Sequence, residues 1–391
     1  MTRIARAALG VAALTLALAV AIGAARLPLL GRDFLLFWTA GRAVQTGVSP
    51  YDMDFQARTQ QANGWDTSRE VMPFNPYSYP PWLAVGLVPL AWLPYPAAFS
   101  LWLAISVVAL AVSLMALLKM ASQAVGRLAL AVTLIGGFTF APALNGLSVG
   151  QLNAVLFALV AGLIWGLDAH HDRAAGVCMG LLATKPHVGL IVAGVVSLGL
   201  IARRRFTPIV WAASTVAVCA GVSFLVSPTW PGDLLASFDA FTARTGFTWP
   251  LNGFQDNPTA FAALRVSAGS SSLAFALTMA GLSILAGLSV YRMRRGPPPS
   301  LQWLGAAGCA ALFVFAPYAR AYDLVFLLWP LIYLVFSNEV AVPARARLGL
   351  GALIYLAPIG LLGIGGQGVS NFAMVMFLAA ALLVAPARGR R

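Results

Sequence analysis

RAAGVCMGLLATKPHVGLIVAGVVSLGLIARRR, residues 173–205, is an apolar run fenced at both ends by arginine and interrupted near its middle by Lys185-Pro186-His187. Between Arg173 and Arg203 lie 29 residues, enough for one helix to cross a bilayer. Such a helix would put Arg173 and Arg203–Arg205 on opposite faces and lodge Lys185 in lipid, which is costly. Two short helices, about 174–184 and 187–201, keep the arginines on one face and set Lys185 at the turn. Pro186 favours that break, because the residue before a proline avoids helical geometry. Short helices at membrane depth need protein or a water-filled cavity to shelter their ends. The stretch therefore predicts a helical hairpin inside a larger membrane-embedded body.

The whole chain agrees. Of 391 residues, 60% are hydrophobic and 9% charged, against about a quarter charged in a soluble domain, so a single aqueous core is excluded. The net charge of +13 is not a nucleic-acid footprint, because the basic residues fall in clusters between apolar runs. Arg3/Arg6, Lys119/Arg127, Arg173, Arg203–Arg205, Arg292/Arg294/Arg295, Arg345/Arg347 and Arg388/Arg390/Arg391 account for 16 of the 25. They share their side with three acids, Asp168, Asp172 and Glu339, while the other loops carry nine bases and nine acids. This is the positive-inside pattern. It predicts both termini in the cytoplasm and the longer loops outside. Cys178, Cys219 and Cys309 lie apart in apolar runs and read as packing residues.

Twelve crossings are expected, making the chain an all-α polytopic membrane protein in one domain, 1–391. The first span is 7–25. Gly23-Ala24-Ala25 resembles a leader cleavage site, but the run is long enough to cross and we read it as an uncleaved helix. Residues 26–96 form an outward loop with interfacial helices. It contains a helix over 33–46 ended by Gly47 and Pro50, a structured Pro/Tyr-rich segment over 72–81, and a short apolar helix over 82–94. Membrane helices fill 97–227, with spans near 97–118, 128–146, one ending at Asp168, the hairpin, and 207–227. A second outward loop covers 228–270. Residues 271–391 hold spans near 271–291, 301–317, 323–337, 348–363 and 370–386. The inward loops are too short for a nucleotide-binding domain, and there is no glycine-rich phosphate loop and no internal repeat.

Candidate chemistry gathers on the outer side. Asp33, just past the first span, reads either as a salt-bridge partner of Arg32 or Arg42 or as a carboxylate facing a cavity. Burial would raise its pKa and the arginines would lower it. Asp52-Met53-Asp54 matches a metal-holding D-x-D pattern, yet turn capping by Asp52 is the simpler reading. Lys185 with His187 either neutralises a phosphate or snorkels to the interface. Gln151 and Asn153 open a span at that level, as sugar contacts or as ordinary helix-start polarity. In Pro317–Asp323, Arg320 and Asp323 either pair with each other or serve as a phosphate ligand and, with Tyr322, a sugar contact. His170 and His171 fall on the cytoplasmic side, so no zinc site and no other metal or cofactor is expected.

Taken in order, these pieces resemble glycosyltransferase family 87, polyprenyl-phosphate-sugar-dependent membrane enzymes of the GT-C class. The matching residues are Asp33-Phe34, Trp38-x-Ala40-Gly41, Pro50-Tyr51-Asp52, Tyr79-Pro80-Pro81, Leu93-Pro94-Tyr95, Gly150-Gln151-x-Asn153, Ala175-Gly176 to Lys185-Pro186, and Pro317 with Tyr322-Asp323-Leu324. The resemblance implies a GT-C-type fold and places the general base on Asp33. It implies a polyprenyl-phosphate-linked hexose donor, mannose in particular, and inverting transfer to a lipid or glycan acceptor at the outer face of the cytoplasmic membrane. On that reading Lys185, Arg320 and His187 meet the donor phosphate, and Asp52, Tyr79, Gln151, Asn153, Tyr322 and Asp323 meet sugar or acceptor. One departure is that many members carry a histidine near the proline-led turn, where this chain has Tyr322-Asp323. A multi-span transporter or lipid flippase shares the span count and the broken helices. Against it, nine of the twelve acids fall on the outer side.

Overall fold

The computed structural model describes residues 30–68, 73–122, 125–245, 299–316, 319–340 and 342–363, with positions 258, 259 and 273. The spans expected at 7–25, 271–291 (apart from position 273) and 370–386 lie outside the described residues, as does Pro317. Regular structure among the described residues is entirely helical. In order the helices are α1 (Arg32–Gln45), α2 (Met53–Ala62), α3 (Pro81–Ala91), α4 (Tyr95–Ala121), α5 (Arg127–Thr139) and α6 (Ala141–Val149). There follow α7 (Asn153–Asp168), α8 (Asp172–Leu181), α9 (Pro186–Ala202), α10 (Thr207–Val226) and α11 (Trp230–Thr245). The last are α12 (Leu301–Phe315), α13 (Leu328–Phe336) and α14 (Ala344–Gly363), with 3-10 turns at Leu182–Thr184 and Ala321–Leu327.

The break at Lys185 is where the proline puts it. α8 runs into a 3-10 turn, Lys185 leaves helical geometry at φ −121° and ψ 85°, and α9 starts at Pro186. The two far ends return to one place: Arg205, past the end of α9, bonds the Asp172 carboxylate at the start of α8 through Nε at 2.8 Å and reaches Leu167 O at 2.8 Å. Gly176 and Gly180 let α10 lie against α8. A Cβ at either would meet the backbone of Pro208 or Ala212 within 2.7 Å, the small-residue contact by which helices associate in lipid.

α4 and α10 are long and apolar enough to cross a membrane alone, and α5 with α6 makes a third candidate bent by 55° at Phe140. Pro142, in the first turn of α6, lacks the N–H that would continue α5. The apolar helices α3, α7, α9, α12 and the Ala321–Phe336 unit are shorter, so twelve full crossings do not follow from the described residues. The expected span at 323–337 is a 3-10 turn leading into a short helix. The segment read as a second outward loop, 228–270, begins with α11, whose start is tied by Ser227 and Thr229 hydroxyls donating to Asp233 Oδ2 at 2.9 and 2.7 Å. On α10, Val218 and Leu225 are strongly exposed, as suits a helix whose outer side meets lipid.

Candidate active site

α1 is buried along nearly its whole length because it is wedged between α3 and α4. Trp38 Nε1 donates to Leu93 O at 3.1 Å, and Phe34 packs against the rings of Trp102 and Phe99 at centroid distances of 5.5 and 6.0 Å. Its first residue is delivered by Gly31 at φ +72°, where a Cβ would run into the Tyr95 hydroxyl at 2.4 Å. Gly31 N–H donates to Ser148 O at 2.8 Å, which pins the start of α1 to the end of α6. The chain then turns through Gly150, at φ +74°, where a Cβ would lie 2.6 Å from that of Phe34. Trp102 Nε1 donates to the Gly150 carbonyl at 2.9 Å. Only glycine serves there, for backbone and for space alike.

That turn feeds two polar groups. Gln151 Nε2 donates to Asp33 Oδ2 at 2.9 Å. On the other carboxylate oxygen, Asn75 Nδ2 donates to Oδ1 at 3.4 Å. Asp33 is partly exposed, so a solute can reach it, yet it lies deep enough that burial pushes its carboxyl above the usual range. The Gln151 hydrogen bond and the charges of Arg32, Arg320 and Lys185 oppose that rise. Arg32 lies over the Trp65 ring at 4.7 Å, and Arg42 hydrogen-bonds Gln45 and Ala91 O.

Two residues on, Asn153 serves the second group. Asp323, wholly buried, receives Lys185 Nζ at 2.5 Å, Asn153 Nδ2 at 3.1 Å and the Arg320 backbone N–H at 2.7 Å. Lys185 also donates to Asn153 Oδ1 at 3.0 Å and lies 4.8 Å from the Tyr322 ring centre. Two of the expected ligands pair with each other here. Lys185, expected as a phosphate ligand, is 2% exposed and closed in by Asp323. Asp323, expected at a sugar, is 0% exposed. The cause is mutual, since either charge alone at that depth would be strongly unfavourable. The anticipated local pairing of Arg320 with Asp323 runs through the Arg320 backbone. His187 is partly exposed with Nε2 3.9 Å from Asp323 Oδ2, so a histidine does reach this turn, from the hairpin.

Asp52 caps α2, accepting from Phe55 N–H at 2.8 Å, and is exposed. Tyr79 brings its hydroxyl to 3.5 Å from Gln151 Oε1 and its carbonyl accepts from the Tyr51 hydroxyl at 2.8 Å. Sequence reasoning passed over Asn75, Gln56 and Gln60. The last two sit one turn apart on α2, both buried. Gln56 holds Tyr77 N–H at 2.7 Å and Pro50 O at 2.9 Å. Gln60 holds Asn75 N–H at 2.8 Å and Asn75 O at 2.7 Å. Two glutamines at i and i+4 in a polar helix were the available signal. Among the described residues no group of three His, Cys, Asp or Glu side chains gathers to hold a metal ion.

A family model, glycosyltransferase family 87, matches residues 77–317, more than half of the chain. No curated protein and no solved structure matches. Gln151, Asn153 and Lys185 fall inside the matched segment, and Asp33 and Asn75 precede it.

Proposed function

The chain belongs to glycosyltransferase family 87 and is a membrane glycosyltransferase; from that premise we propose that Asp33 is the general base for transfer of a hexose from a polyprenyl-phosphate donor. The sugar is mannose on this reading, the acceptor is a lipid or glycan hydroxyl, and the work is done at the outer face of the cytoplasmic membrane. Family membership sets the transporter reading aside.

One observation carries the proposal: a reachable carboxylate, raised by burial, held by two neutral amides with cations acting on it. The chemistry asks for little more. The donor's C1–O bond breaks to release a lipid phosphate, a stable anion that needs no general acid. The acceptor oxygen bonds to C1 from the opposite side, giving inversion, while its proton passes to Asp33. One such base is worth on the order of a hundred- to ten-thousand-fold. The departing phosphate needs positive charge beside it. Arg320 and His187, both partly exposed, are the proposed ligands, and Lys185 contributes its field from behind Asp323. Tyr79 and Tyr322, also partly exposed, are the proposed sugar or acceptor contacts. Asp52, spent on capping α2, is left out.

The test is to incubate membranes containing the protein with radiolabelled polyprenyl-phosphate-mannose and identify the labelled product. Label should move to a lipid or glycan with the wild type and not with Asp33→Asn. Near-normal transfer by that variant would sink the assignment.

A further inference from the structure

Asp33 stands in the first turn of α1, yet both of its oxygens are met by amides from distant segments. The Gln151 amide is not free to turn. The Gln151 carbonyl oxygen accepts from the Leu152 backbone N–H at 2.9 Å, and the Tyr79 hydroxyl lies 3.5 Å from the same oxygen. The donor nitrogen is therefore the end that faces Asp33. Asn75 is fixed through its backbone instead, since Gln60, itself wholly buried, grips both the N–H and the carbonyl of that residue.

We infer that Gln151 and Asn75 are positioning residues for the base: one amide on each oxygen sets the plane of the Asp33 carboxylate and how readily it takes the acceptor's proton. The inference rests on Asp33 being the base. It gives Gln151 a task other than touching sugar, and it gives one to Asn75, which precedes the matched segment.

A carboxylate ion-paired directly with an ammonium is a poor proton acceptor, because its charge is already satisfied. A carboxylate buried without donors stays protonated and cannot accept at all. Neutral amides hold it between those limits. The charged and titratable groups around it are Arg32 in the same turn, Lys185 at the hairpin turn and Arg320 beside the 3-10 turn, which all favour the anion, with Tyr95 of α4 near enough to feel its charge. All of them remain when one amide is removed, so the change reports that amide alone.

The test measures Asp33 itself. In the full-length protein in detergent or membranes, carbodiimide labelling of Asp33 is followed by mass spectrometry against pH, in wild type, Gln151→Met and Asn75→Ser. Losing a hydrogen bond to a charged group should move the labelling midpoint up by about one pH unit in Gln151→Met. The shift should be smaller in Asn75→Ser, whose bond is longer. The acid limb of kcat/KM should follow the labelling midpoint. Thermal unfolding establishes that each variant is folded, and should Gln151→Met not fold, Asn75→Ser on its partly exposed loop carries the test. A midpoint that stays put in the folded variants overturns the inference, as does a change in KM with no movement of the acid limb. If the midpoint moves while Asp33→Asn still transfers sugar, the positioning stands as a property of Asp33 and the base assignment fails.

Discussion

Asp33 and Asp323 are the same residue type, served by neighbouring positions of one turn, and the protein treats them in opposite ways. Gln151 brings a neutral amide to Asp33, while Asn153 joins Lys185 at Asp323. The first carboxylate is partly exposed and raised by burial; the second is sealed and ion-paired. An acid that must accept a proton has to be reachable and free of a direct ion pair. An acid that must hold elements together is best left charged, bonded and dry. Asp323 holds the hairpin turn, the start of α7 and the Ala321–Leu327 turn together, and so fixes the turn that aims Gln151.

The comparison is most sharply tested at Asp33. Asp33→Asn should lower transfer by about a hundred- to ten-thousand-fold without lowering thermal stability. The sign follows from the raised pKa. A carboxyl raised on folding contributes stability at low pH and loses that contribution as pH rises through its folded value, so the ionised form is a cost at neutral pH. Thermal midpoints should show the variant equal to or above wild type at neutral pH, and the gap should close toward acid pH. A variant that is clearly less stable at neutral pH would make Asp33 another structural acid.

Lys185→Met should do the reverse, lowering stability by about 3–5 kcal/mol because it strands a buried carboxylate. Adding Asp323→Asn should recover most of that loss in denaturation measurements. Sugar transfer by the double variant then distinguishes the two roles of the lysine. Recovered transfer makes the pair structural only, and a folded but inactive double variant makes the Lys185 charge part of phosphate stabilisation.

At the joint between the two acids, Gly150→Ala should cost about 1–3 kcal/mol, since it strains a left-handed residue and drives a Cβ into Phe34. Transfer should fall with it, through displacement of Gln151. The smallest effect is expected at Asp52→Ala. Loss of the α2 cap should cost about 1 kcal/mol and leave kcat and KM nearly unchanged; a large rise in KM would put Asp52 at the sugar after all.

Much of the layout was legible because its signals are local. Pro186 broke the 173–205 run where expected, Gly47 ended α1, and α3, α4 and α10 fell close to their predicted bounds. Local signals also gave detail that the reading did not use. Thr229, Pro231 and Asp233 are ordinary helix-start residues, and they open α11 within the segment read as a second outward loop. α2 was missed because it is mostly polar, and its value lies in two buried glutamines that only the folded loop around Asn75 explains.

Residue order alone determined the membrane character and the hairpin, because lipid imposes length, charge and backbone rules that each segment obeys by itself. It also brought Asp33, Gln151, Lys185 and Asp323 to notice through the family they resemble. Which acid meets which cation was decided only in three dimensions. Lys185 and Asp323 are 138 residues apart, and a buried charge takes its partner from whatever the packing brings within reach. Packing brought an ammonium to Asp323 and two amides to Asp33, and that assignment is what separates the sealed acid from the proposed base.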